Sequence, residues 1–246
     1  WSLDFMSVDE DHEPELNKIS SKLNKIVDAN PDGGIFIAQG YICMNASGEV
    51  DNLKRGGSDY TASLIGAATK AEDIQIWTDI DGMHNNDPRI VKNTSAIPQI
   101  SFDEAAELAY FGAKILHPAT IRPAMEANIP VKLLNTMDPE AKGTVVSEAQ
   151  GKKDIKAIAA KDFITAIKIK STRMLLAYGF LRKVFEVFEK YKTPIDMITT
   201  SEIAVSLTID DNSNLKNIVK ELEDFGTVEV DREQTIICIA GENIPD

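Results

Sequence analysis

Residues 54–62 place two glycines, a hydroxyl and a carboxylate ahead of a run of small residues that predicts a helix. The adjacent Gly56 and Gly57 allow a tight turn and a close approach of the backbone to a ligand. The N-terminus of a helix offers free N–H groups to an anion such as phosphate. Arg55 can hold a carboxylate with two hydrogen bonds, and Asp59 can orient Mg²⁺ or a phosphate. This chemistry is that of an anion site, although a glycine turn before a helix can also be only a turn.

The elements around this segment alternate between strands and helices, which is typical of a largely parallel sheet covered by helices. Ligands of such sheets gather at the carboxyl ends of the strands. Thr78, Asp79 and Asp81 follow directly on an apolar strand, so a nucleotide is expected there. Helices are predicted over residues 16–27, 102–111 and 118–127, and buried strands over residues 35–38, 74–77 and 131–134.

The second part of the chain has a different pattern. A charged link over residues 148–156 leads into strands and amphipathic helices in the order βαββαβ, which is that of a ferredoxin-like domain. The sequence therefore predicts an α/β domain over residues 1–149 and an α+β domain over residues 150–246. Strands are predicted over residues 167–170, 203–209, 227–230 and 235–240, with a further strand and turn at residues 196–202, and helices over residues 180–191 and 215–225.

The composition limits the possible functions. The 246 residues carry a net charge of −13, which argues against a nucleic-acid partner because such proteins present a basic face. No apolar stretch reaches the length of a transmembrane helix, and no basic run marks a membrane surface. Cys43 and Cys238 stand in separate apolar runs, as the reduced thiols of a cytoplasmic protein do. His12, His84 and His117 are too scattered for a metal site, so none built from protein ligands is predicted.

Four blocks resemble aspartokinases and stand in the order of that family. They are residues 55–62, residues 77–82 running to 87–89, residues 107–118, and residues 135–136 with 143–144. The chain is identified as a member of this family, whose members phosphorylate the β-carboxylate of L-aspartate with ATP and Mg²⁺. The resemblance implies the C-terminal part of an amino-acid-kinase sandwich, with a mainly parallel sheet between helices, followed by a ferredoxin-like ACT regulatory domain and the start of a second one.

The resemblance also implies that the chain is a fragment. Nothing in it matches the Lys-Phe-Gly-Gly type of segment with which the family begins, and residues 235–240 match only the first strand of a second ACT domain. The isolated chain is therefore expected to be inactive.

Roles for the segment around Asp59 follow from the same resemblance. Asp59 is the catalytic residue that organises the transferring phosphate and its Mg²⁺, while Arg55, Gly57 and Ser58 bind aspartate. The alternatives are a surface arginine and an N-capping pair, since serine and aspartate both favour helix N-caps. Lys54 stands where the family usually has glycine.

A second set of residues matches the nucleotide contacts of the family. It consists of Thr78, Asp79, His84, Arg89 and Lys114. The alternatives are a turn at Asp79, a solvated loop cation at Arg89, and a cap of helix carbonyls by Lys114. His84 stands where the family commonly has tyrosine, and it can stack on the nucleotide or form a hydrogen bond with it.

The ACT domain carries the contacts for an amino-acid effector. Residues 194–202 resemble the lysine-sensitive, monofunctional aspartokinases, so lysine is the expected effector and a homodimer through the ACT domains is expected. Asp196 faces the effector ammonium in this interpretation, although it can also be only an edge-strand charge. The implied contacts are Met174, Gly179, Phe180, Leu181, Asp196, Thr200, Ser201 and Glu202.

Two other functions remain open at this point. In the first, the kinase half is degenerate and the protein only binds lysine, which the departures at Lys54 and His84 favour. In the second, the protein is a kinase of another amino acid such as glutamate, which the downstream ACT domain disfavours.

Overall fold

The computed structural model describes residues 1–54, 56–111, 118–148, 154–171 and 178–242. The chain divides into two compact units. Unit 1 comprises Trp1–Ala159 with Cys238–Asp246, and unit 2 comprises Ala160–Ile237. Within the described ranges, none of the helices combines the length and apolar character that a bilayer crossing requires.

Unit 1 contains a mixed sheet with helices packed beside it. The sheet has the strand order β3-β5-β6-β4, in which β3 pairs with β5 and β4 with β6 in parallel, and β5 pairs with β6 antiparallel. Its helices are α1 (Leu16–Asp28), α2 (Gly57–Thr69), α3 (Phe102–Phe111) and α4 (Pro118–Glu126), and its strands are β1 (Ile42–Met44), β2 (Val50–Asn52), β3 (Ile74–Thr78), β4 (Gln99–Ser101), β5 (Val131–Asn135) and β6 (Thr144–Ser147). The predicted mainly parallel sheet is confirmed.

The start of α3 shows how local sequence determines an element. The Ser101 hydroxyl accepts the N–H of Glu104 at 3.1 Å, and the Glu104 carboxylate accepts the N–H of Ser101 at 2.8 Å. This reciprocal pair is the predicted capping box, which satisfies two backbone donors at a helix start. The other carboxylate contact of Glu104 is Lys156, whose Nζ lies 2.7 Å away.

The predicted buried strand over residues 35–38 is wrong. Within the described part of the chain these residues pair with no strand, and Ile35 and Ile37 are each 95% exposed. A short apolar run is a local signal, whereas a strand needs a neighbour to complete its hydrogen bonds. The run is apolar enough for a strand, but no described segment provides that neighbour.

Unit 2 is built on a sheet with the order β10-β7-β9-β8, with helices in the predicted βαββαβ sequence. Its elements are β7 (Asp154–Lys170), α5 (Phe180–Lys190), β8 (Met197–Thr200), β9 (Ala204–Ile209), α6 (Leu215–Leu222) and β10 (Thr227–Glu242). The first part of β7 and the end of β10 belong to unit 1. The fold class predicted from the sequence is confirmed.

Two details of unit 2 differ from the prediction. Residues 227–230 and 235–240 were expected as separate strands, but both belong to β10. The polar residues 231–234 between them are exposed along that strand, so their polarity reflects solvent contact and not a turn. Residues 154–156 of the expected link are already part of β7, and residues 149–153 lie outside the described residues.

The core of unit 2 explains why its helices lie against the sheet. Buried side chains alternate along β7 and β9, for example Ile167, Ile169 and Leu207. They pack against one face of each helix, which includes Val184 of α5 and Ile218 of α6. This arrangement needs apolar residues at every second position of the strands and at helical spacing in α5 and α6.

Candidate functional site

The N-terminus of α2 is open to a ligand. Its N-cap is Gly56 in the left-handed conformation (φ 73°), and no side chain caps the helix. Ser58 and Asp59 are therefore not N-caps, which removes the structural alternative for this pair. The N–H of Gly57 donates to the carbonyl of Lys54 at 3.1 Å. The N–H groups of Ser58 and Asp59 lack partners within the helix, so they remain available to an anion. Arg55 lies outside the described residues.

A neighbouring segment packs closely against this turn. The Thr61 hydroxyl donates to the Gly57 carbonyl at 2.7 Å and accepts the N–H of Tyr41 at 3.0 Å. A methyl group at Gly57 would lie 2.8 Å from Cδ2 of Tyr41, and one at Gly40 would lie 3.1 Å from Cα of Ser58. Glycine at both positions therefore permits the contact. Sequence analysis did not identify Gly40, Tyr41 or Thr61, although Gly40 stands two residues after the apolar run 35–38.

Asp59 is the carboxylate of this site. It is half-buried, and among the described residues it has no hydrogen-bond or ion-pair partner. Burial raises the pKa of Asp59. Its position in the first turn of α2 acts in the opposite direction, because a helix N-terminus favours negative charge. Ser58 beside it is exposed. A cation that reaches Asp59 would therefore provide a missing interaction.

Thr78 and Asp79 stand at the end of β3, the strand that follows α2 in the chain. Gly66 near the end of α2 packs against the side chain of Ile74 at the start of β3. Thr78 at the end of β3 donates its hydroxyl hydrogen to the Asp79 carboxylate at 3.1 Å.

The loop after β3 is held by two polar side chains. The ring nitrogens of His84 lie 2.8 Å from the Thr94 hydroxyl and 2.7 Å from the Asp81 carboxylate. The hydrogen bond with His84 lowers the pKa of Asp81. Thr144 accepts the N–H of Met83 at 2.8 Å and donates to the carbonyl of Ile97 at 2.7 Å.

The hydrogen bonds of this loop determine which contacts His84 can make with a nucleotide. Both ring nitrogens have protein partners, so in this conformation only the ring itself is available for stacking on a nucleotide. Thr144 is a positioning residue that the site prediction did not include. Its signal was the Gly143-Thr144 pair in the fourth family block.

Arg89 is held by its own loop. Its Nε lies 2.9 Å from Oδ1 of Asp87 and its Nη2 lies 2.6 Å from Oδ2, a forked ion pair. The Arg89 side chain is 65% exposed, so the guanidinium remains accessible to solvent. Lys114, the other predicted cation of the nucleotide site, lies outside the described residues.

The predicted effector contacts fall into two groups in unit 2. Phe180 is buried and packs edge-on against Phe225, with ring centroids 6.3 Å apart. Phe225 lines a cleft of about 730 Å³ together with Thr200 and Ser201. Gly179, Phe180, Leu181, Thr200, Ser201 and Glu202 belong to the end of the sheet where β7 and β8 finish. Met174 lies outside the described residues.

Asp196 belongs to the other end of the sheet. It precedes β8, its N–H bonds to the carbonyl of Thr208 at 2.8 Å, and its carboxylate lies 3.1 Å from Nζ of Lys161. One copy of unit 2 therefore does not gather all the predicted effector contacts into one site.

The described residues contain no group of three or more His, Cys, Asp or Glu side chains placed to hold a metal ion. Magnesium in kinases commonly uses one or two carboxylates together with phosphate oxygens and water. The carboxylate of Asp59, which has no partner among the described residues, lies beside an uncapped helix start and fits that mode of binding.

Comparisons with known proteins agree with this geometry. The model of the amino acid kinase family matches residues 4–135. Aspartokinase 3, chloroplastic, of Arabidopsis thaliana is 44% identical over 203 residues, which are 78% of this chain and 36% of that protein. The chain belongs to the aspartokinases of the amino acid kinase family. The membership predicted from the four sequence blocks is confirmed.

Solved aspartokinase structures resemble the whole described fold. E. coli aspartokinase III in complex with aspartate and ADP (R-state) has a TM-score of 0.83 at 34% identity, covering 96% of this chain and 56% of that one. The same enzyme in complex with lysine and aspartate (T-state) has a TM-score of 0.79 at 34% identity, covering 96% and 55%. The chain thus spans about a third to a little over half of the aspartokinases it matches.

Proposed function

We propose that the full-length protein is an aspartate kinase, which transfers the γ-phosphoryl group of ATP to the β-carboxylate of L-aspartate. The product enters the synthesis of lysine, threonine and methionine. The observation that carries this proposal is Asp59, a half-buried carboxylate without a described partner at an uncapped helix start. The similar E. coli enzyme holds aspartate and ADP, which supports the choice of substrates.

The residues near α2 bind and orient the acceptor. Arg55 holds a carboxylate of aspartate, and Ser58 and the backbone of Gly57 orient it at the start of the helix. Phosphoryl transfer requires positioning and neutralisation of charge more than covalent chemistry by the protein. Asp59 therefore acts by placing positive charge beside the transferring group.

The residues after β3 bind the nucleotide in this proposal. Thr78 and Asp79 provide polar contacts at the strand end, and Arg89 and Lys114 provide positive charge for phosphates. His84 presents its ring, because Asp81 and Thr94 occupy both of its nitrogens. When bound, ATP would supply the phosphoryl group and Mg²⁺ would neutralise its charge, and the Asp59 carboxylate would hold the metal.

We also propose that residues 1–149 form part of the catalytic domain and residues 150–246 a regulatory ACT domain with the start of a second. The βαββαβ order supports this, as does the E. coli relative that binds lysine. Lysine is the proposed effector. Its amino-acid head meets the backbone of residues 179–181, and its ammonium meets Asp196.

The positions of these contacts support a homodimer. At about 3.3 Å per residue along a strand, Asp196 and Thr200 are about 13 Å apart. One lysine molecule is too short to contact both ends of β8 and the loop before α5. A second copy of unit 2 can supply one of the two groups, so we propose that the effector site forms between two chains. The proposed cytoplasmic location stays a prediction.

The test is a hydroxylamine assay of the full-length gene product with ATP, Mg²⁺ and aspartate, in which aspartyl phosphate is trapped as its hydroxamate. We expect product with aspartate and none with glutamate, and we expect lysine to suppress it. Product that is indifferent to lysine would retain the kinase and contradict the effector. Absence of product together with lysine binding would favour the non-catalytic lysine-binding protein.

A further inference from the structure

Asp196 already has an ammonium partner in unit 2. Nζ of Lys161, on β7, lies 3.1 Å from Oδ1 of Asp196 and 2.9 Å from Oδ2 of Asp210. The side chain of Asp196 is 2% exposed, that of Lys161 is 21% exposed, and that of Asp210 is 43% exposed. The lysine therefore bridges a buried carboxylate and a carboxylate near solvent.

Lys161 keeps its charge in this position. Burial lowers the pKa of Lys161, but hydrogen bonds to Asp210 and Asp196 outweigh burial, so that pKa is raised on balance. A carboxylate as buried as Asp196 is stable in its ionised form only when it is paired. Any other cation that contacts Asp196 must therefore share this carboxylate with Lys161 or displace it.

We propose that Lys161 is a built-in competitor for the ammonium group of the lysine effector at Asp196. This inference rests on the effector site of the proposed function. Lys161 and free lysine carry the same ε-ammonium group, so Asp196 cannot distinguish them by charge. A group tethered nearby acts at an effective concentration on the order of millimolar, which weakens the apparent affinity for any ligand that needs the same carboxylate.

Asp210 makes the exchange possible. When the effector takes Asp196, Nζ of Lys161 keeps its contact with Asp210 and moves toward solvent, since Asp210 is the more exposed of its two partners. Displacement then leaves neither the lysine nor the buried aspartate unpaired. An unpaired buried charge would otherwise cost several kcal/mol.

The competition is selective for ligands with a side-chain ammonium. Norleucine has the shape of lysine without that group, so it has nothing to exchange with Lys161. Removal of the Lys161 charge should therefore strengthen lysine binding and leave norleucine binding as it was. A general loosening of the domain would change both.

The test is calorimetric titration of the full-length protein with L-lysine and with L-norleucine. For Lys161→Gln we expect the Kd for lysine to fall about tenfold, which is about 1.4 kcal/mol, with the Kd for norleucine unchanged. Lys161→Arg, which keeps the cation, should bind lysine like the wild type. Lys216→Gln on α6 is the matched control, because Lys216 is exposed and has no side-chain partner among the described residues.

A second measurement uses only the wild type and covers the case in which Lys161→Gln does not fold. Amine acetylation followed by mass spectrometry should show faster modification of Lys161 when lysine is bound, relative to Lys216, and no change with norleucine. A lysine Kd that is unchanged or higher in a folded Lys161→Gln variant would overturn the inference while the effector site stands. If the wild type does not bind lysine, both the effector site and this inference fail.

Discussion

Asp59 in unit 1 and Asp196 in unit 2 are both assigned to charged ligands, yet their surroundings differ. Asp59 is half-buried and has no partner among the described residues, whereas Asp196 is almost fully buried and paired with Lys161. A ligand at Asp59 adds an interaction that the described residues do not provide. A ligand at Asp196 exchanges one ammonium for another. The arrangement at Asp59 suits tight binding of metal and phosphate. The arrangement at Asp196 lowers the affinity for the effector, which suits a sensor.

The comparison assumes that an ion pair stabilises a buried carboxylate. The pair of Glu104 and Lys156 in unit 1 allows this stabilisation to be measured. Their side chains are 6% and 17% exposed and lie 2.7 Å apart. We expect Lys156→Met to destabilise unit 1 by about 3 kcal/mol, because it removes the cation from a buried carboxylate that then keeps the N–H of Ser101. Urea denaturation followed by tryptophan fluorescence reports on this unit, which contains both Trp1 and Trp77.

The control for Lys156→Met is Arg122→Gln. Arg122 and Glu126 form an exposed ion pair, with side chains 65% and 53% exposed. Such pairs contribute little to stability, because solvent screens the two charges. Equal, small losses of stability for both variants would contradict the claim that pairing matters more for a buried carboxylate than for an exposed one.

Asp196→Asn should cost stability in unit 2. The variant loses the ion pair with Lys161, while Lys161 keeps its contact with Asp210. We expect a loss of about 1–3 kcal/mol, measured by hydrogen exchange of the buried amides of β9. Asp231→Asn, at an exposed position of β10, is the control and should change nothing. An Asp196→Asn variant as stable as the wild type would mean that the ion pair with Lys161 does not stabilise the unit.

Asp59→Asn should change stability in the opposite direction, by raising the free energy of unfolding of unit 1. Removal of a charge that burial disfavours is expected to stabilise unit 1 by up to about 1 kcal/mol, as at other sites kept for function and not for stability. Tryptophan fluorescence in urea measures this gain. Asp79→Asn is the control, since Asp79 is exposed and its amide would still accept the Thr78 hydroxyl. A loss of stability in Asp59→Asn would show that Asp59 has a structural partner after all.

The gain from Asp59→Asn should depend on pH. The pKa of Asp59 is raised in the folded state from its ordinary value near 3.8. The folded state then binds more protons than the unfolded state between these two values, so wild-type stability falls as pH rises through that window. The advantage of the variant should be smallest below about pH 4 and full at neutral pH. An advantage that does not change with pH would contradict burial as the cause.

Local signals in the sequence were sufficient for much of the fold. The capping box of Ser101 and Glu104 formed as predicted because both partners lie within one turn. The βαββαβ order of unit 2 followed from alternating and helical spacing. Residues 35–38 failed because a strand depends on a neighbour that composition does not reveal. β10 was divided wrongly because exposed polar residues resemble a turn.

The sequence predicted only those site residues that stand in a family motif. Asp59, Ser58 and Thr78 were assigned from family blocks, and this assignment stays a prediction. The pairing of Lys161 with Asp196 was not predicted, because the two residues are far apart in sequence and neither stands in a charge pattern. Thr144 holds Met83 by a contact of the same long-range kind. Contacts between distant segments depend on the fold and not on local spacing.

The most direct measurement is a lysine titration of aspartyl-phosphate formation by three full-length proteins: the wild type, Asp59→Asn and Asp196→Asn. The account predicts that Asp59→Asn loses about 100-fold or more in kcat and still binds lysine by calorimetry. It predicts that Asp196→Asn keeps its kcat and loses inhibition by lysine. Full turnover in Asp59→Asn, or unaltered inhibition in Asp196→Asn, would contradict the assignment of catalysis to the open carboxylate and of sensing to the paired one.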